Sequence, residues 1–319
     1  MAKTRSSNQE PTIKRRKGKE PTETSSQQPP KPPPPTQPLP YQKFVTQEAE
    51  ERYNLIKGRV FNKERGINID KCVKNRIFVE KIHEKGWDGI ENKVTKESNA
   101  SIALEFLANV YVEGDRGWHS EVRGKMVNYS KWAINRVLGL REVVNYDVKA
   151  RKEVYDAFRS RGEWDSLLDG LMREGKGWIE TFDRPQMINT VDLLPEYKAW
   201  ASFIQTVIDQ TFATAEMIRE RVIILLSLIS DEEIDVGELM AHSLHKLVRT
   251  DRNTLGHCCL INRLCQDAQV PFEPTDVTVR SLTFISDSLI EGYEKELERH
   301  ERNAAQQQQH HLMEQDQIP

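Results

Sequence analysis

The chain has 319 residues, 37% of them hydrophobic and 30% charged, with a formal net charge of −3. That length admits one large domain or two small ones. The low apolar share is a local deficit, because residues 1–40 hold ten of the fifteen prolines and almost no large apolar side chains. The charge is uneven too: residues 1–96 carry 21 Lys/Arg against 12 Asp/Glu, a net of +9, which leaves −12 on residues 97–319. An acidic body argues against a large nucleic-acid-binding face there.

Residues 1–40 cannot bury enough surface to offset the cost of ordering, and are expected to be a disordered, basic, proline-rich tail. Lys14, Arg15, Arg16, Lys17 and Lys19 form a dense cationic cluster within it. Such a cluster suits a nuclear import signal or a phosphate-contacting arm, and is otherwise a solvated charge run. Pro29 to Pro35 favours polyproline II geometry, a stiff spacer or an SH3/WW ligand. The N-terminus lacks the apolar run of a signal peptide. The longest strongly apolar run, Val222 to Ile229, is far short of the ~20 residues that span a bilayer. The expectation is a soluble intracellular protein with reduced thiols at Cys72, Cys258, Cys259 and Cys265, and no membrane association.

The folded part is expected over residues 41–290. Helical spacing of apolar residues appears over Glu48–Arg59, then from Ile67 to Gly86-Trp87, and more firmly over Ser98–Val112. Glu121 to Tyr129 alternates about Gly124, which predicts a short β-hairpin, and Ser130 then caps a helix ending at Gly139. Further helices are expected at Val148–Arg159, Trp164–Arg173, Pro195–Ile208, Ala213–Leu228, Val236–Val248 and Leu255–Ala268, with a last one from about Asp276. Residues 291–319 read as a charged helix end and a Gln/His-rich disordered tail. The fold class is therefore mainly α: a single multi-helix globular domain with one hairpin near 121–129.

Metal chemistry has one tempting cluster, His242, His245, His257, Cys258, Cys259 and Cys265. Its spacing fails, since a zinc knuckle needs Cys-x-x-Cys and adjacent cysteines point to different helix faces. The thiols read as buried packing among Leu260, Ile261 and Leu264. Asp231-Glu232-Glu233-x-Asp235 sits where a helix-to-helix turn is naturally polar, without the sheet that usually presents metal-binding carboxylates. No Gly-rich phosphate loop, Gly-x-Ser-x-Gly elbow or His-Glu-x-x-His motif occurs. The six tryptophans, at 87, 118, 132, 164, 178 and 200, read as core anchors. No catalytic residue, metal or cofactor is expected.

A set of ordered signatures remains. Gly86-Trp87 precedes Glu105-Phe106-Leu107-Ala108-Asn109, Val122-Arg123-Gly124-x-x-Val127 and Ile134-Asn135. Trp178, Leu194-x-x-x-Lys198-x-Trp200, the Arg221 helix and Ile234-Asp235-Val236-Gly237 follow. The series ends with Leu260-Ile261-x-x-Leu264-Cys265-x-x-Ala268-x-Val270-Pro271. Over residues 52–290 this order resembles the Putative plant transposon protein domain of plant retroelement-derived reading frames. The hairpin before Leu138-Gly139-Leu140 is also similar to the plant mobile domain. Leu107 replaces an expected aromatic, and Gln269 replaces the usual glycine before Val270-Pro271. The resemblance implies mobile-element ancestry and an intracellular setting, with no demonstrated reaction.

Three functions fit these readings. The first is a non-enzymatic interaction or structural module whose protein partner the sequence does not identify. The second is nucleic-acid binding led by the arm Lys14–Lys19. The third is self-association, in a capsid-like assembly, through the last helix and its stripe Leu282, Ile285, Leu289, Tyr293 and Leu297.

Overall fold

A computed structural model describes residues 41–72, 75–91, 93–111, 117–143, 161–181, 184–230, 233–249, 254–282, 284–295, 298–299, 302–303 and 306. By internal contacts the chain divides into Met1–Pro38 and Leu39–Pro319, and all that follows concerns the second unit. The expected helix Val148–Arg159 and residues 307–319 of the Gln/His-rich tail fall outside the described residues.

Helix α1 (Gln47–Ile56) starts at Thr46, whose side chain accepts from the Ala49 N–H, and packs on α3 (Ala100–Ala108). The latter is the centre of the core. Asn99 caps it by accepting from the Ile102 N–H, and Ile102, Ala103, Phe106 and Ala108 are fully buried. Each buried Ile or Phe of that kind stabilises the fold by about 1.5–3 kcal/mol. Between them in chain order comes α2 (Arg76–Glu84), which sets Phe78 edge-on to Trp200 at 4.6 Å.

The expected hairpin is present as β3 (His119–Val122) and β4 (Lys125–Asn128), and α4 (Lys131–Leu138) follows it directly. Then come α5 (Arg161–Ser166), α6 (Pro195–Phe203), α7 (Arg219–Ile229), α8 (Val236–Arg249), α9 (Cys258–Asp267) and α10, residues 287–295. Pro195 sits in the first turn of α6, which runs into a buried π-helical turn, Ile204–Ile208. Helix α8 lies along α4, and α9 bridges α3 and α4.

The single hairpin expected from the sequence is joined by other β-structure. Val60–Phe61 (β1) pairs in parallel with Thr254–Leu255 (β8), and Glu97–Asn99 (β2) pairs antiparallel with Thr278–Arg280 (β9). Ile179–Thr181 (β5), Arg184–Asn189 (β6) and Glu216–Ile218 (β7) form a three-stranded antiparallel sheet. Most of these strands are two or three residues long, too short for a period of two to register. Strand β7 takes the first part of the expected helix Ala213–Leu228, and β9 takes the start of the expected last helix. The expected helix Trp164–Arg173 closes at Ser166 and ends in turns at Gly170, where φ is 74°.

Candidate functional site

Three of the sequence signatures turn out to be one device. Helices α2, α4 and α9 all end on a residue with positive φ: Gly86 at 69°, Gly139 at 63° and Gln269 at 56°. At each end the next N–H reaches back five residues, from Trp87 to Ile82 O, from Leu140 to Asn135 O and from Val270 to Cys265 O, at 2.8–2.9 Å. This Schellman geometry satisfies carbonyls that a helix end leaves open, and its following residue packs inward. Trp87, Leu140 and Val270 are all buried. Gly86-Trp87, Leu138-Gly139-Leu140 and Gln269-Val270-Pro271 are thus helix stops. The glycine expected at 269 belongs to the same left-handed position.

The signature Val122-Arg123-Gly124 forms the hairpin turn, with φ of 50° at Arg123 and 73° at Gly124. An arginine is unusual in such a turn, which favours Asn-Gly or Gly-Gly. Bonds to residues distant in the sequence hold it there. Its N–H donates to Glu105 Oε1 at 2.6 Å, and its buried guanidinium donates to Pro271 O at 2.6 Å and pairs with Asp276. Asp276 also accepts from Asn99 Nδ2 at 2.5 Å and the Glu273 N–H at 2.8 Å. Burial raises the Asp276 carboxyl, but the hydrogen bonds from Arg123, Glu273 and Asn99 outweigh it and hold it below the usual aspartate value. Glu105 moves the other way, pushed up chiefly by burial. Nearby, Asn109 Nδ2 donates to Lys43 O and Glu121 O, both at 2.8 Å, tying the first described residues to the hairpin.

A second polar knot joins Ile134-Asn135 to Ile234-Asp235-Val236-Gly237. Asp235 Oδ1 accepts from Asn135 Nδ2 and from the Glu238 N–H, both at 3.0 Å, and so caps α8. A Cβ at Gly237 would lie 2.1 Å from Asn135 Oδ1, so any side chain there would have to displace the Asn135 amide. Lys131 reaches Glu238 at 2.9 Å and Asp235 at 3.8 Å. The acidic turn is therefore divided in role: Asp235 is a buried cap, Glu233 pairs with exposed Arg141, and Asp231 and Glu232 fall outside the described residues.

The histidines and cysteines grouped by the sequence separate in space. His242 and His245 pack on Trp118 with ring centroids 5.2 and 4.9 Å away, and His245 Nδ1 lies 2.9 Å from Tyr129 Oη. Burial, then the Arg249 charge and His242, lowers the His245 imidazole. His257 is wholly buried in a chain to Ser243 (2.9 Å), Asp209 (2.9 Å) and Arg221 (2.9 Å). Burial, reinforced by Lys93, holds its imidazole far below the ordinary histidine value. Cys258, Cys259 and Cys265 are buried thiols whose ionisation burial opposes. Among the described residues no three His, Cys, Asp or Glu side chains are placed to hold a metal ion.

One buried pair had no sequence signal at all. Lys93 and Glu64, 0% and 1% exposed, meet at 2.9 Å. Lys93 also donates to Val207 O at 3.0 Å, and Glu64 accepts the Cys259 N–H at 2.5 Å, which ties α9 to the β1 segment. Among the tryptophans, 87, 164, 178 and 200 are core residues, and Trp118 packs on the core from its edge. Trp132 departs from the expectation at 49% exposed, because α4 turns Ala133, Ile134 and Leu138 inward, leaving the indole under the Lys131 ammonium. Lys14, Arg15, Arg16, Lys17 and Lys19 lie outside the described residues. Of the last-helix stripe, Ile285 is buried and Leu289 packs on the core, while Leu282 is exposed and Leu297 lies outside the described residues.

A model of the Putative plant retrotransposon-related domain matches residues 83–271, more than half of the chain. The chain belongs to this family. No curated protein and no solved structure matches it. The matched span opens just before the stop at Gly86 and closes on Pro271, two residues after the stop at Gln269. It also includes both polar knots apart from Asp276 and its neighbours. No helix among the described residues is long and apolar enough to cross a membrane.

Proposed function

We propose that this chain is a non-enzymatic interaction or structural module of a plant retroelement-derived protein. One observation carries the reading: the ionisable signature residues are engaged in the fold. Glu105, Arg123, Asp235 and Arg221 are all buried and bonded to backbone or to opposite charges, where they hold elements together. Groups that bind or turn over a ligand have to face it. The ancestry favours a nuclear setting, with import through Lys14–Lys19.

The test is to incubate the purified chain with DNA in the presence of Mg²⁺ or Mn²⁺. We expect neither strand cleavage nor joining. Either activity, lost on Asp235→Asn or Glu238→Gln in a chain that remains folded, would overturn the reading.

A further inference from the structure

The short sheet β2–β9 is closed on one side and open on the other. Its inner edge is sealed by a side chain imitating a strand: Asn262 Oδ1 accepts the Asn99 N–H at 2.6 Å and Asn262 Nδ2 donates to Asn99 O at 2.9 Å. Its outer edge is β9. The bonds from Ala100 N to Val277 O and from Ser281 N to Lys96 O fix the parity of the ladder. Positions 277, 279 and 281 turn their backbone groups toward β2, so Thr278 and Arg280 aim theirs outward. Among the described residues nothing pairs with those outward groups, and the strand is exposed, half-buried and exposed in turn. Exposed apolar residues flank it on both sides, Phe272 and Val277 (65% exposed) before it, Leu282 and Phe284 after it.

We infer that β9 is the contact through which two copies of this chain associate, antiparallel across a two-fold axis at Val279. The register is self-complementary. Thr278 of each copy faces Arg280 of the other, and both residues present the outward N–H and C=O that a hydrogen-bonded antiparallel pair exchanges. The same symmetry lays the segment before β9 in one copy beside the segment after β9 in the other. The register sets Val277 opposite Ser281 and diagonal to Val279 of the other copy, so apolar surface covers apolar surface, while Phe272, Leu282 and Phe284 flank the two ends of the seam. Charge agrees as well. Each Arg280 stands between its own Glu97, 3.3 Å away, and the other copy's Thr278, so no like charges face directly. An unpaired strand edge flanked by apolar side chains is a template for another strand, and a partner with this register closes it. The inference holds whether or not the role proposed above is right.

Sedimentation of the full chain across a concentration series tests it. We expect a reversible dimer. Thr278→Pro removes an outward N–H and no bond to β2, and should weaken association by about tenfold or more, since two of the backbone bonds between copies are lost. Val277→Lys, which touches no backbone bond, should weaken it too, with the unfolding midpoint of either variant near that of the parent. Val279→Cys should form an intermolecular disulfide on mild oxidation, because facing non-hydrogen-bonded residues bring Cα atoms to about 4.5 Å. Arg280→Cys should not. The four native cysteines are buried and do not compete. A monomeric mass at every concentration, a dimer indifferent to both Thr278→Pro and Val277→Lys, or equal cross-linking at 279 and 280 would overturn the inference.

Discussion

Gln269 and Gly139 occupy the same place in two copies of one helix stop, which allows a paired experiment with opposite signs. Gln269→Gly relieves a non-glycine residue of φ 56°, and Gly139→Gln imposes φ 63° on one. A left-handed conformation costs an L-residue about 1–2 kcal/mol. Glycine's larger freedom in the unfolded chain offsets about 0.4–1 kcal/mol of that, leaving a net effect near 0.5–1 kcal/mol. Nothing lies within 4 Å of a Cβ built at Gly139, so the loss there is conformational rather than steric. In urea unfolding, Gln269→Gly should raise the midpoint and Gly139→Gln lower it by a similar amount, with the slope unchanged. For a chain of this size, each kcal/mol moves the thermal midpoint by about 2–4 °C. A Gln269→Gly variant that is less stable than its parent, or a silent Gly139→Gln, would refute the assignment of these signatures as helix stops.

Three further outcomes follow from the buried polar groups and the tail. Arg123→Ala should cost about 3–5 kcal/mol by leaving Asp276 buried and unpaired, whereas Arg136→Ala, which breaks an exposed pair with Asp267, should cost about 1 kcal/mol or less; urea unfolding of both measures the contrast. The imidazoles of His257 and His245 lie below the ordinary histidine value in the fold, so protons bind the unfolded chain more readily and stability should fall as the pH drops below about 6.5. Asp276, depressed in the fold, adds its own loss once the pH falls below about 4, its usual titration range, toward its folded value. Thermal midpoints taken from pH 8 downward should show the histidine step, and Val-for-His replacement at 245 should reduce it. A reporter fused to residues 1–40 should accumulate in the nucleus and lose that localisation when Lys14, Arg15, Arg16, Lys17 and Lys19 become glutamine.

What could be read in the sequence was set by length and period. Amphipathic segments of eight residues or more, such as α3, α4, α8 and α9, show in apolar spacing because one face is buried along several turns. The hairpin showed because its alternation surrounds a glycine at the turn. The parallel pair Val60–Thr254 and the edge strand Thr278–Arg280 could not, since their partners lie far away in sequence and their strands are too short to carry a period. The same limit hid the Glu64–Lys93 pair, whose two residues look like any solvated charges until the chain folds. The thiols of Cys258, Cys259 and Cys265 are legible as buried packing, because they lie among Leu260, Ile261 and Leu264 on a helix, whereas nothing in the sequence brings His242 and His245 onto Trp118. Gln269 departs from the family pattern, and its φ of 56° explains why glycine is expected there.

On the function proposed above, this chain acts by holding a protein partner rather than by chemistry or by gripping nucleic acid. Affinity capture from nuclear extract on the immobilised full chain, with and without nuclease, tests that most directly. We expect the same reproducible set of proteins in both arms. A capture abolished by nuclease would contradict it and assign the binding to nucleic acid.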